Sequence, residues 1–125
     1  MKTAAAIAIF CAGGGLARYY LSGWVYDLLG RAFPFGTLIV NVIGAYLIGL
    51  IMELALRSTL ISDVLRIGLT VGFLGGLTTF STFSYETFKL LEDGRFIIAF
   101  ANVLASVFVC LLFTWLGIVT VRSLA

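Results

Sequence analysis

Four stretches of this sequence are each long and apolar enough to cross a bilayer, and they leave little chain over. A helical span needs about 20 predominantly apolar residues. Runs of that size lie at about 3–21, 36–56, 66–91 and 96–121, the third being the least apolar. Water could not cover so much apolar surface in 125 residues, because a fold this short buries only about 60–70% of its unfolded area. The expected fold class is therefore all-α. It is one integral membrane domain over residues 1–125, built from four transmembrane helices with very short connections. An even number of spans places both chain ends on one side.

The connections carry the expected chemistry. Ser22 to Phe35 holds Trp24, Tyr26 and Phe33, which suit an interfacial belt. Pro34 just before Gly36 suits a helix start. Arg57 to Arg66 reads as a polar turn, and Glu92-Asp93-Gly94-Arg95 as a charged tight turn. Lys2 followed by Thr3 to Ala12 also has the outline of a secretory signal. The following Gly13-Gly14-Gly15 and Arg18 instead read as the rest of a packed span.

Composition excludes several function classes. Charged residues are 11% of the chain, against roughly 25% in soluble domains. A net charge of +2 gives no basic face for nucleic acid. There is no histidine, so histidine-dependent metal or triad chemistry is impossible. Cys11 and Cys110 lie inside the first and fourth spans without metal-ligand spacing, and read as small packing residues. Nothing resembles an activated nucleophile, and no enzyme is expected.

The basic residues barely orient the chain. With the N-terminus inside, the inner side has Lys2, Arg57, Arg66 and Arg122. The outer side has Arg31, Lys89 and Arg95, with Arg18 near the outer end of the first span. A near tie under the positive-inside rule fits insertion in both orientations, hence an antiparallel assembly; it equally fits a count too small to carry a signal. Four short helices fill their own centre with side chains, so a conduit would need an oligomer. Small residues at i, i+4 spacing support close packing: Gly68, Gly72 and Gly76; Asn41, Ala45 and Gly49; Ala101 and Ala105.

Span three is the anomaly. Gly75-Gly76 is followed within eight residues by five hydroxyls, Thr78, Thr79, Ser81, Thr82 and Ser84. Such a sequence favours a break in the helix. A break at mid-membrane frees carbonyls and amides that protein, ion or water must satisfy, and discontinuous helices build ion sites in this way. An unbroken helix whose hydroxyls bond back to its own carbonyls is the competing reading. Other polar residues line up with the cluster: Thr37 and Asn41 on span two, and Asn102, Ser106, Cys110 and Thr114 on span four.

Ionisable groups in spans are functional candidates by default. Arg18 lines a vestibule that gathers anions or snorkels to the interface, and Glu86 pairs with a basic group or meets ions. Glu53 reads as interfacial. Phe80 and Phe83, three apart, share a helix side among hydroxyls. The edge of an aromatic ring is positive, so ring edges can face a small anion without a fixed cation.

The string Gly-Gly-Leu-Thr-Thr-Phe-Ser-Thr-Phe-Ser at 75–84, with Glu86, resembles the signature of the Fluc (CrcB-type) fluoride channel family. Gly13-Gly14-Gly15 with Arg18-Tyr19 is similar to that family's first-helix motif, and Pro34-Phe-Gly-Thr37 leading to Asn41-Val-Ile-Gly44 to its second. The resemblance covers essentially the whole chain. It implies a multi-pass protein of a bacterial inner membrane that passively exports fluoride as an antiparallel, dual-topology homodimer with two pores. It implies that Phe80 and Phe83 form an aromatic box and that Asn41 contacts the ion path. Thr37, Ser81, Thr82 and Ser84 match the polar track, and Ser106 fits it too. Gly75 and Thr78 match positions whose carbonyls hold a structural sodium ion at the dimer axis. Arg18 matches the vestibule arginine and Glu86 the third-helix acid. Asn102 departs from the tyrosine expected there in some members.

Two other functions compete. A proton-coupled small four-helix multidrug exporter needs an acid in its first helix, and residues 1–25 contain no Asp or Glu. A non-transporting assembly subunit explains the small-residue faces but not the hydroxyl cluster.

Overall fold

The computed structural model describes residues 1–124, and its regular elements are all helices. Helix α1 spans Lys2–Leu29, α2 Phe35–Arg57, α3 Asp63–Ile67, α4 Gly75–Leu77, α5 Phe80–Glu92 and α6 Phe96–Leu124. A π-helical stretch, Gly68–Leu74, joins α3 to α4. Together α3, the π stretch, α4 and α5 form the third of four segments long and apolar enough to cross a membrane, Asp63–Glu92.

The first span is longer than the sequence reading placed it. Residues 22–29, expected as part of a connection, continue α1 for a total of 28 residues, or about 42 Å at 1.5 Å per residue. Gly23 alone does not stop a helix whose neighbours are good formers. The stop comes at Gly30, which adopts φ 78° while its N–H still donates to the Tyr26 carbonyl. Only an unbranched backbone takes that conformation cheaply. Trp24 and Tyr26 therefore sit on the helix rather than in a loop. The third segment starts at Asp63, three residues before the expected Arg66, because Ser62 caps it by accepting from the Leu65 N–H. Gly94, φ 72°, ends α5 in a Schellman motif in which Arg95 N–H reaches the Leu90 carbonyl and Gly94 N–H reaches Leu91.

Glycines set how closely the helices approach. A Cβ at Gly49 would meet the Thr114 carbonyl, and one at Gly117 the Tyr46 carbonyl, so α2 and α6 cross backbone to backbone. The row Gly68, Gly72 and Gly76 faces α1, against Phe10, Ile7 and Cys11. Gly14 returns the contact at the Phe73 carbonyl. Val40, Leu74 and Leu77 form the buried centre, with Ala17, Leu21, Ile43 and Leu47 packed around them. Ile9, Leu16, Ile97, Phe100, Leu104 and Leu111 point outward. In water that surface would be untenable; in hydrocarbon it costs nothing.

Candidate functional site

The site begins with two residues that leave the helix. Thr78 (φ −88°, ψ 156°) and Thr79 (φ −153°, ψ 116°) are extended, and they part α4 from α5. The continuous-helix alternative is thereby excluded. Extension at two successive residues removes i→i−4 bonds and frees carbonyls on one side and amides on the other.

The groups freed at Thr78 and Thr79 themselves find partners. The Thr79 N–H, which an unbroken helix would aim at the Gly75 carbonyl, donates to Asn41 Oδ1 at 2.8 Å. Asn41 Nδ2 donates to the Thr79 carbonyl at 3.1 Å. One amide side chain on α2 thus clamps the whole Thr79 residue, much as a neighbouring strand would. Thr79 also caps α5, its hydroxyl accepting from the Thr82 N–H at 3.1 Å. The Thr78 hydroxyl folds back onto the Leu74 carbonyl at 2.9 Å. The Thr78 carbonyl receives Arg18 Nη1 at 3.4 Å. Arg18 therefore turns inward to the break and does not snorkel. Among the described residues no buried side-chain polar atom lacks a partner.

Two cavities flank the break. One, of about 440 Å³, is lined by Asn41, Gly75, Thr78, Thr79, Phe80 and Phe83 from one side and by Ser106, Cys110 and Thr114 from α6. The Phe80 and Phe83 ring centroids lie 5.3 Å apart at 46°. Phe80 is 77% exposed, so its ring fills no pocket in its own chain. The other cavity, of about 340 Å³, is lined by Arg18, Tyr26, Thr37, Thr79, Thr82 and Glu86. Thr79 borders both. The α4 end presents carbonyls, partial negative charge, and the α5 start presents the Phe80 and Ser81 amides, partial positive charge. The break therefore offers both signs of partial charge, and the one charged side chain that reaches it is Arg18, at the Thr78 carbonyl.

The second cavity contains a network that joins three helices. The Thr37 hydroxyl donates to Glu86 Oε1, and the Tyr26 hydroxyl donates to both Glu86 oxygens at 3.1–3.2 Å. Tyr26 is a member of this network that sequence reasoning missed, because its position suited an interfacial anchor. Only the 28-residue length of α1 brings it beside Glu86.

Not every expected residue gathers at the cavities. Ser81 is exposed but lies 3.2 Å from the Thr79 hydroxyl. Ser84 is exposed on α5 and borders neither cavity. The α6 polar series divides: Ser106, Cys110 and Thr114 line the first cavity, whereas Asn102 is buried against Thr87. Glu53, expected at an interface, is 7% exposed within the chain. It accepts from Arg57 Nε at 2.6 Å and Arg122 Nε at 2.9 Å, tying the ends of α2 and α6. A buried carboxylate persists only with such partners.

The family profile described as "CrcB-like protein, Camphor Resistance (CrcB)" matches residues 5–118. A protein of Trichlorobacter lovleyi named fluoride-specific ion channel FluC is 83% identical over 125 residues, covering 100% of both chains. Proteins of the same name from Pelobacter propionicus and Geobacter sulfurreducens are 77% and 69% identical. Each match takes in 99% of this chain, and 96% and 100% of theirs respectively.

Proposed function

The chain belongs to the CrcB-like family, and from that footing we propose that it is a fluoride-selective channel, not an enzyme, which lets fluoride leave a bacterial cell across the inner membrane down its gradient. The observation that carries the reading is the arrangement around Thr79. Two cavities meet at that residue, one bordered by the Phe80 and Phe83 rings and the other by hydroxyls.

Fluoride is small and strongly hydrated, so a path must replace its water with many close donors. The hydroxyls of Ser81, Thr82 and Ser106, the Asn41 amide and the amides at the start of α5 supply neutral donors, while Thr37 borders the path with its proton given to Glu86. Ring edges of Phe80 and Phe83 add positive potential without a full charge. The first cavity's neutral lining holds the ion weakly enough to release it, and conduction requires that. Arg18, turned in to the Thr78 carbonyl, gathers anions toward the second cavity, and Glu86, held by Tyr26 and Thr37, keeps the hydroxyls aligned. Ser84 faces away from both cavities and enters the path only if a neighbouring chain turns the ion toward it.

The first cavity is open at the side, and its rim carries Phe80 together with the polar Asn41, Ser106 and Thr114. Lipid is a poor cover for such groups. An antiparallel second copy would close two such half-sites at once and give each pore walls from both chains. The near tie of basic residues across the membrane supports dual insertion.

The Gly75 carbonyl suits a sodium ion, whereas the Thr78 carbonyl, matched to the same site, receives Arg18 Nη1 within the single chain and would have to exchange that guanidinium for the ion. Both lie at the C-terminal end of a half-helix, and the Thr79 N–H that would have occupied Gly75 is given to Asn41. Carbonyl oxygens at such ends suit hard monovalent cations. When bound between two copies, sodium would neutralise the facing carbonyls and fasten the copies together.

Proteoliposomes loaded with fluoride test the reading. Rapid efflux at a fluoride electrode, with chloride retained, is the expected result. Equal fluoride and chloride rates would overturn it.

A further inference from the structure

Asparagine is a costly residue to bury in a membrane helix, and Asn102 is 2% exposed. Its surroundings show what holds it. The Thr87 hydroxyl donates its only proton to the Phe83 carbonyl at 2.7 Å. Thr87 therefore presents lone pairs to its other neighbour, and Asn102 Nδ2 donates to it at 2.8 Å. That bond fixes which way the amide faces. Asn102 Oδ1 is turned toward Ser106, whose hydroxyl reaches it at 3.5 Å and which also lines the cavity with Phe83.

Glu86 holds helix α5 to α1 and α2, and Asn102 supplies its side-chain anchor to α6. Helix α5 starts at a break, so no continuous helix fixes its rotation about its own axis. Asn41 pins its entry at Thr79. Asn102 pins it again at Thr87, eight residues on, or about 12 Å along the axis. Among the described residues, the Asn102–Thr87 bond is the only side-chain hydrogen bond between α5 and α6. Phe80 and Phe83 lie between the two pins.

We infer that Asn102 is a positioning residue for the aromatic pair, acting through Thr87 to fix the rotation of α5 and with it the discrimination between fluoride and larger anions. The inference rests on the channel reading above. Asn102 does not touch the ion; it sets where the Phe83 backbone, and so the ring, stands.

Asn102→Leu and Thr87→Val remove the bond at nearly constant volume, whereas Thr87→Ser keeps the hydroxyl. Fluoride and chloride fluxes are measured in proteoliposomes beside the wild type, and amide exchange over residues 80–87 is measured in nanodiscs. Each of the first two variants is expected to lower the fluoride-to-chloride flux ratio about tenfold, the scale of one lost buried hydrogen bond. The double variant is expected to fall no further than the worse single, because both break one link. Exchange over 80–87 rises in both, and Thr87→Ser behaves as wild type. Where Asn102→Leu fails to fold, Thr87→Val carries the same test. Unchanged selectivity in the variants, or fully additive losses, would overturn the inference. If the wild type itself does not discriminate fluoride, the channel reading fails. The exchange data then decide the anchor separately, and unchanged protection over 80–87 overturns that as well.

Discussion

The Thr37 hydroxyl stands 2.7 Å from Glu86 Oε1, a contact between residues 49 apart in sequence. Tyr26 completes it from a third helix, so one carboxylate draws together α1, α2 and α5 beside the proposed path. Hydrogen bonds to an ionised acceptor are about twice as strong as neutral ones. Glu86→Gln is expected to destabilise the protein by about 1–3 kcal/mol, read as a lowered thermal midpoint in detergent. Tyr26→Phe, which removes one donor and leaves Thr37 in place, should cost less than Glu86→Gln. An equal or larger loss for Tyr26→Phe would show that the carboxylate is not the hub.

Asn41 spends both ends of its amide on Thr79. Asn41→Leu strands the Thr79 N–H and carbonyl, at about 1–3 kcal/mol each where they stay buried. Asn41→Asp keeps the acceptor for the Thr79 N–H but sets an oxygen against the Thr79 carbonyl. Both variants are expected to lose at least about 90% of fluoride flux, since a shift of about 1.4 kcal/mol is already tenfold. Proteoliposome efflux checks this, and a conducting Asn41→Leu would mean that the break holds without its clamp.

Phe80 offers a separation of activity from folding. Its ring is 77% exposed in the single chain, so Phe80→Ile removes little that holds that chain together. A surface change of this kind is expected to shift the stability of the isolated chain by no more than about 0.5 kcal/mol. Fluoride flux should nevertheless collapse. Flux and thermal midpoint measured on the same preparation test the pair of statements. A large drop in stability with unchanged flux would reverse the assignment.

The crossing of α2 and α6 makes the opposite case. A side chain at Gly117 would meet the Tyr46 carbonyl and the Leu50 amide nitrogen, which are backbone atoms and cannot turn aside. Gly117→Leu is expected to cost about 3 kcal/mol or more, beyond ordinary overpacking, and to reduce the yield of folded protein on size-exclusion chromatography. Gly15→Ala, where a Cβ has open space, is the matched control and should purify as wild type.

How far the sequence could be read depended on the kind of signal. Spans were legible because hydrophobic length is a property of a segment alone. The break was legible from Gly75-Gly76 and the hydroxyls, which compete with helix bonds locally. Its position at Thr78 and Thr79 was not, because that depends on Asn41, 38 residues away, supplying a substitute partner. The full length of α1 was missed for a related reason. Aromatic residues that suit a membrane interface suit a helix crossing it equally well, and only Gly30 marks the end. Asn102 looked like one more member of a polar row at i, i+4 spacing. A row drifts round a helix, and the drift is enough to turn its first member toward Thr87 and the rest toward the cavity.

The wide turns between Gly68 and Leu74 bear on how tolerant this span is to changes in length. A π turn accommodates more residues than an α turn over the same advance. This part of the helix therefore carries slack that α2 and α6, wound tightly throughout, do not. Losing one residue here tightens a loose turn and leaves the later residues pointing where they did. The same deletion in α6 would swing all that follows by about 100°, carrying Ser106 and Thr114 off the cavity wall.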